Sequence, residues 1–190
     1  AYLANLRGNP TPIIVSRRVD FLPKGNFLSR HKYNIEGVKS IACVSKAIEQ
    51  IIKPILSNPE KCFTIYSGID HSKFSKNLNQ NWLMNTFNLT DDTVLIGNTS
   101  AIAPHKDYFT FIDTAKILLS KTDKKLKFFI IGSGPLEKEI KEYAVEQKMA
   151  DHIIFTGFLQ NITEVLPSLN IFFISSETEG LGTSILDAFA

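Results

Sequence analysis

Asn170-Ile171-Phe172-Phe173-Ile174-Ser175-Ser176-Glu177-Thr178-Glu179-Gly180-Leu181-Gly182-Thr183-Ser184-Ile185-Leu186-Asp187-Ala188 opens on an apolar run, passes through serines and acids into a glycine-punctuated turn, and ends in an apolar helical pattern. The run 170–174 predicts a strand buried on both faces. Strand, polar turn and helix start together bring free backbone N–H groups and a positive dipole end in front of an anion. Glu179 and Asp187 flank the turn with seven residues between them.

Upstream the same alternation repeats. The spacing predicts a strand over Leu126 to Ile131, then the turn Gly132-Ser133-Gly134-Pro135 and a helix running through Glu146. A strand at Ile153-Ile154-Phe155 closes on Gly157-Phe158-Leu159, and a short helix spans Asn161 to Leu169. Before these, Thr93 to Gly97 is a strand, 98–107 a loop, and Tyr108–Lys121 a helix with Phe111, Ile112, Ala115, Leu118 and Leu119 on one face. An earlier series places strands at Thr11–Ser16, Lys39–Val44 and Lys61–Tyr66. Its helices are Phe27–Tyr33 and Lys46–Leu56, the latter capped by Ser45. Strands alternating with helices predict parallel, doubly wound sheets. The polar stretch 71–92 reads as a linker with a short helix around Trp82, Leu83, Met84 and Phe87.

The chain has 190 residues, enough for one large domain or two small ones. A net charge of +2 makes no general demand for nucleic acid. Residues 1–80 carry 12 basic and 5 acidic side chains, a net of +7, whereas 81–190 carry 9 and 14, a net of −5. Two modules with different partners, or an unevenly solvated surface, account equally for that split. Cys43 and Cys62 lie in apolar runs without metal or redox spacing, as buried free thiols in a reducing compartment do. No run approaches the ~18 apolar residues of a membrane span, and no secretory signal is present. The chain opens at Ala1 and runs directly into structured sequence, so it is expected to be a piece of a longer protein.

Four loops leaving strand ends share a rim if their strands share a sheet: 98–107, 132–135, 157–160 and 175–184. Gly134 allows close backbone approach, to a ligand or within a tight turn. Lys106 opens a helix, where the dipole disfavours a cation; a bound anion resolves the conflict, and so does solvation beside Asp107. Lone His105 has no second His or Cys at metal spacing. Thr183 and Ser184 open the last helix. Ser184 to Asp187 matches a capping box, so Asp187 has a structural alternative to a binding role. Glu179, among Ser175, Ser176 and Glu177, is not explained by capping.

With these motifs in this order, including Ser67-Gly68-Ile69-Asp70 and Pro104-His105-Lys106-Asp107, the chain resembles the retaining GT-B glycosyltransferases of family four, the group 1 type, from about Pro12 to Ala190. The resemblance implies two Rossmann-like domains, both incomplete here. Residues 1–75 are the second half of the acceptor-side domain, 76–92 a linker, and 93–190 the truncated nucleotide-sugar domain. It implies a hexosyl transfer with retention from a nucleoside-diphosphate sugar to a glycan or lipid-linked acceptor, as in lipopolysaccharide or surface-polysaccharide synthesis. No metal or other cofactor is implied. By the same resemblance Glu179 is catalytic, beside the donor sugar, and Asp187 binds ribose in place of the usual Glu. Lys106 meets the diphosphate, as do Gly182, Thr183 and Ser184, while Gly134 is a further donor-binding position. Phe158 and Leu159 meet the base. Ser100 stands where the family often has an arginine. A cytoplasmic location with peripheral contact at the inner membrane face is expected, and the 190-residue chain alone is expected to be inert. A nucleotide-sugar epimerase or phosphorylase, or a non-catalytic nucleotide-sugar-binding module, are the alternatives.

Overall fold

The computed structural model describes residues 2–23, 27–74 and 80–190. It divides into two compact units, one ending at Gly68 but also holding Glu179–Gly182, the other holding Ile69–Thr178 and Thr183 onward. The division falls before the expected boundary at 75.

The first unit contains α1 (Tyr2–Leu6), β1 (Ile13–Arg17), α2 (Phe27–Asn34), β2 (Val38–Cys43), α3 (Lys46–Ile52) and β3 (Cys62–Thr64). The strands pair in parallel in the order β1-β2-β3. Helix α1 has no counterpart among the sequence expectations. Ser45 does cap α3, its Oγ accepting from the Ile48 N–H at 3.3 Å. The helix is shorter than its pattern, because Pro54 has no N–H to continue the ladder and the chain tightens into a 3₁₀ turn at Lys53–Ile55. Strand β3 is also short: Ile65 and Tyr66 are exposed beyond it. Ile41, Ile48 and Ile52 fill the core between sheet and α3. Cys43 and Cys62 are buried free thiols, side by side with their Sγ atoms 3.5 Å apart. Burial pushes the Cys62 thiol up to about 12.

Glu49 is buried on α3 and gathers Lys53 Nζ at 2.6 Å, Lys46 Nζ at 3.2 Å and the Thr64 hydroxyl. The Lys53 ammonium, then Thr64, hold its carboxyl down at about 2. A folded-state value below the unfolded one contributes stability above the unfolded value and loses it as pH falls toward the folded value. The first unit is therefore expected to weaken between about pH 4.5 and pH 2. Glu49→Gln should flatten that acid limb in a denaturation series across those pH values. An unchanged limb would show that this cluster is not what acid breaks.

The second unit contains α4 (Trp82–Thr86), β4 (Val94–Thr99), α5 (Tyr108–Leu119), β5 (Leu126–Ile131), α6 (Glu137–Glu146), β6 (Ile153–Gly157), α7 (Ile162–Val165), β7 (Ile171–Phe172) and α8 (Thr183–Phe189). All four strands are parallel, in the order β6-β5-β4-β7. The chain runs outward from β4 through β5 to β6, then returns to lay β7 on the other side of β4. That reversal is the doubly wound order, and its switch point lies between β4 and β7.

The unbroken apolar run of β5 follows from burial on both faces. Phe128 and Ile130 join Ile96, Phe111 and Ile112 in one core, while Phe129 and Ile131 join Leu83, Leu95 and Val165 in the other. Of the expected linker, 76–79 lie outside the described residues. The rest is no free tether: Leu83 is fully buried, and Phe87 meets Phe129 at 5.6 Å between ring centroids. Strand β7 departs from the expected doubly buried strand. It is two residues long, pairs only with β4 among the described residues, and leaves Ile171 49% exposed. Helix α6 begins at Glu137, so Pro135 belongs to the preceding turn rather than to the helix.

Candidate functional site

At the C-terminal edge of the second sheet the loops are stitched together by backbone hydrogen bonds. Ser100 N–H donates to Ile131 O at 3.1 Å and Ile102 N–H to Ser133 O at 3.1 Å, so the segment after β4 lies along the turn after β5. Gly132 has φ +150°, and a Cβ there would overlap the Ser100 carbonyl oxygen. Gly134 sits against the Ile102 backbone in the same way. On the other flank, Glu177 N–H donates to His105 O at 3.0 Å and the Ser175 hydroxyl to Lys106 O at 3.1 Å. The loop carrying Lys106 is thus held to the segment that follows β7. It forms a 3₁₀ turn at Pro104–Lys106, and Asp107 then caps α5, accepting from Thr110 N–H at 3.1 Å.

A cavity of about 340 Å³ opens at these strand ends. Thr99, Ser100 and Ala101 line it from the end of β4, and Ile131, Gly132 and Ser133 from the end of β5. Phe158, Leu159 and Ile162 line it beyond β6, and Thr183, Ser184 and Asp187 from α8. Its lining combines apolar Ile131, Phe158, Leu159 and Ile162, Phe158 being 73% exposed, with hydroxyl-bearing Thr99, Ser100, Ser133, Thr183 and Ser184 and with Asp187. Burial raises the Asp187 carboxyl above its ordinary value. Hydroxyls and a carboxylate can hold a polyol, and hydroxyls can also donate to phosphate oxygens.

Of the residues singled out in the sequence, the cavity brings together Phe158, Leu159, Thr183, Ser184 and Asp187. Gly134 is not among its lining residues, and its close approach is to Ile102. Lys106 lies on the same rim, in the loop tied to Ser175. Glu179 and Gly182 are placed with the first unit, where Leu181 packs on the core and a Cβ on Gly180 would come 2.5 Å from Arg18 O. Ser184 and Asp187 both lie within α8 (Thr183–Phe189). Thr99, Ser133 and Ile162 were not singled out as site residues, nor was the partner of Ser100. The rim argument alone could have found Thr99 and Ser133, because both lie within loops already assigned to that rim. Among the described residues no group of three or more His, Cys, Asp or Glu is placed to hold a metal, and no helix is long and apolar enough to cross a membrane.

Residues 80–190 match the family described as glycosyl transferases group 1. The chain is 28% identical over 177 residues to an alpha-monoglucosyldiacylglycerol synthase of Streptococcus pneumoniae, covering 86% of this chain and 40% of that protein. It is 24% identical over 152 residues to a UDP-Gal:alpha-D-GlcNAc-diphosphoundecaprenol alpha-1,3-galactosyltransferase of Escherichia coli, covering 78% and 39%. It therefore spans about two fifths of the length of these relatives. The fold is similar to the crystal structure of Anabaena Alr3699/HepE in complex with UDP and glucose, with a TM-score of 0.80 at 15% identity over 93% of this chain and 50% of that one. The architecture is α/β and GT-B-like.

Proposed function

The chain belongs to the glycosyl transferases group 1 family, and we propose that the full-length protein moves a sugar from a nucleoside-diphosphate donor to a glycan or lipid-linked acceptor with retention of configuration. The carrying observation is the cavity at the C-terminal strand ends of the second sheet, lined by Phe158, Leu159 and Ile162 together with hydroxyl-bearing residues and Asp187. Phe158 and Leu159 would take the base, Asp187 the ribose hydroxyls, and Thr183 and Ser184 the diphosphate. Gly182 would offer its backbone to the diphosphate, and Gly134, packed on the Ile102 backbone, would hold the rim of the donor site. The relatives named for UDP-galactose, for a diphosphoundecaprenol acceptor and for a diacylglycerol product support a hexosyl donor and a lipid-linked acceptor.

In the transfer, the acceptor hydroxyl attacks the anomeric carbon on the face the diphosphate leaves. The bond to the β-phosphate oxygen breaks, and that oxygen takes the acceptor's proton. Charge grows on the diphosphate, and Lys106 would stabilise it without a metal ion. Glu179 would position and stabilise the sugar. Exposed Phe21, Leu22, Phe27 and Leu28 lie near exposed Arg18, Arg30 and Lys32 in the sequence of the first unit, which supports peripheral contact with an anionic membrane face in the cytoplasm.

A thermal-shift panel of nucleoside diphosphates on the full-length protein tests this reading. One of them should stabilise it by about 2.7 kcal/mol at ~100-fold excess over Kd. Lys106→Ala should weaken that binding by roughly tenfold or more, the scale of a charge-assisted contact to phosphate. If no nucleoside diphosphate stabilises the protein, the donor site is wrong; if Lys106→Ala binds as well as wild type, Lys106 has another role.

A further inference from the structure

Ser100 is held from three sides. Its N–H donates to Ile131 O at 3.1 Å, and its carbonyl oxygen fills the space where Gly132 lacks a side chain. Its Oγ lies 2.8 Å from the phenol oxygen of Tyr108, the first residue of α5. Tyr108 is 1% exposed, and its ring meets Phe111 edge-on at 5.8 Å. A buried phenol needs a hydrogen-bond partner, and Ser100 supplies it: among the described residues the phenol meets Ser100 Oγ and, at 3.5 Å, Ser100 O. Burial pushes the Tyr108 phenol up to about 12, so it stays a neutral donor at any physiological pH.

A hydroxyl offers one donor and two acceptor positions. If the phenol donates to Ser100 Oγ, the proton of Ser100 is left for another acceptor; among the described residues that is the Ala101 carbonyl oxygen at 3.4 Å, a long contact that a closer phosphate oxygen would outcompete. Ser100 lines the cavity, whose lining residues include five hydroxyls and one carboxylate but no Lys or Arg. We propose that Tyr108 is a positioning residue: it donates to Ser100 Oγ and so aims the Ser100 proton at a phosphate oxygen of the bound diphosphate. A preset neutral donor then stands where the family resemblance implies an arginine. Because the donor is already oriented, it needs little reorganisation when charge develops on the leaving group. This inference rests on the donor-site reading above.

Titration calorimetry on the full-length protein tests it, with inorganic pyrophosphate, the best-binding nucleoside diphosphate and the matching free nucleoside as probes. Ser100→Ala should weaken pyrophosphate and nucleoside diphosphate roughly tenfold, and Tyr108→Phe nearly as much. The double variant should be no weaker than Ser100→Ala alone, because one interaction is removed twice. Nucleoside affinity should be unchanged in all three. Wild-type affinity in Tyr108→Phe, additive losses in the double variant, or an equal loss for the nucleoside would each overturn the positioning role and leave the donor site standing. Failure of wild type to bind either phosphate-bearing probe would overturn both.

Discussion

Gly132→Ala is expected to destabilise the second unit by roughly 3 kcal/mol and to lower nucleoside-diphosphate affinity at least tenfold. Two effects combine at this position. The backbone has φ +150°, which L side chains rarely adopt, and a methyl group would overlap the Ser100 carbonyl oxygen. Neither neighbour can yield freely, since Ser100 N–H is bonded to Ile131 O and Ile102 N–H to Ser133 O. Relief would require the two rim segments to part, and both line the cavity. Gly157→Ala is the matched comparison. It also has positive φ, +70°, but nothing lies within 4 Å of the added carbon. It should therefore cost only the left-handed strain of about 1–2 kcal/mol. Chemical denaturation of both variants separates overlap from backbone strain. Equal losses in the two would show that Ser100 moves aside easily.

Phe111→Ala should remove about 3–5 kcal/mol, the usual cost of emptying an aromatic site in a close-packed core. Phe111 is fully buried on α5. It stacks on Phe173 at 5.1 Å and meets Phe128 edge-on at 6.3 Å and Tyr108 at 5.8 Å. Thermal unfolding should shift down by roughly 10 °C for a chain of this size. Donor affinity should fall as well, because Phe111 joins two parts of the rim. Tyr108 adjoins the loop that carries Lys106, and Phe173 precedes Ser175, whose hydroxyl bonds to Lys106 O. A stability loss below about 1 kcal/mol would mean that the space closes over, which close packing on both sides of Phe111 opposes.

Much of this arrangement is legible along the chain. In Leu126–Ile131 successive apolar residues serve opposite cores, which is why a parallel strand reads as a continuous run rather than an alternation. Ser45 marks the start of α3 through a bond its Oγ accepts from the Ile48 N–H, three residues on. Local chemistry also placed polar loops after the strands and the helix start at Thr183 and Ser184, whereas Phe158, Leu159 and Asp187 were assigned their roles by the family resemblance. The departures lie where local pattern and longer-range packing compete. The patch Trp82–Phe87 has the composition of a linker helix, yet it covers one face of the second sheet. The run Asn170–Ile174 reads as a buried strand, yet Ile171 lies at an edge of the described sheet.

The glycine-rich turn between Glu179 and Asp187 shows the same division. Its spacing, its carboxylates and the helix that follows are properties of neighbouring residues, and periodicity and turn chemistry carry them in the sequence. Where each residue goes is not a neighbour effect. Asp187 reaches the cavity with Thr183 and Ser184, whereas Glu179 and Gly182 are gathered with the first unit. Strand order decided the first of these, by returning β7 to the side of β4 and so bringing α8 to the rim. Contacts more than a hundred residues apart in the chain decided the second, Gly180 against Arg18 and Leu181 on the first core. Helix and turn hydrogen bonds act over a few residues and leave a local trace, whereas strand pairing joins distant ones. Burial acts between any surfaces that meet, so its outcome exists only once the chain has folded.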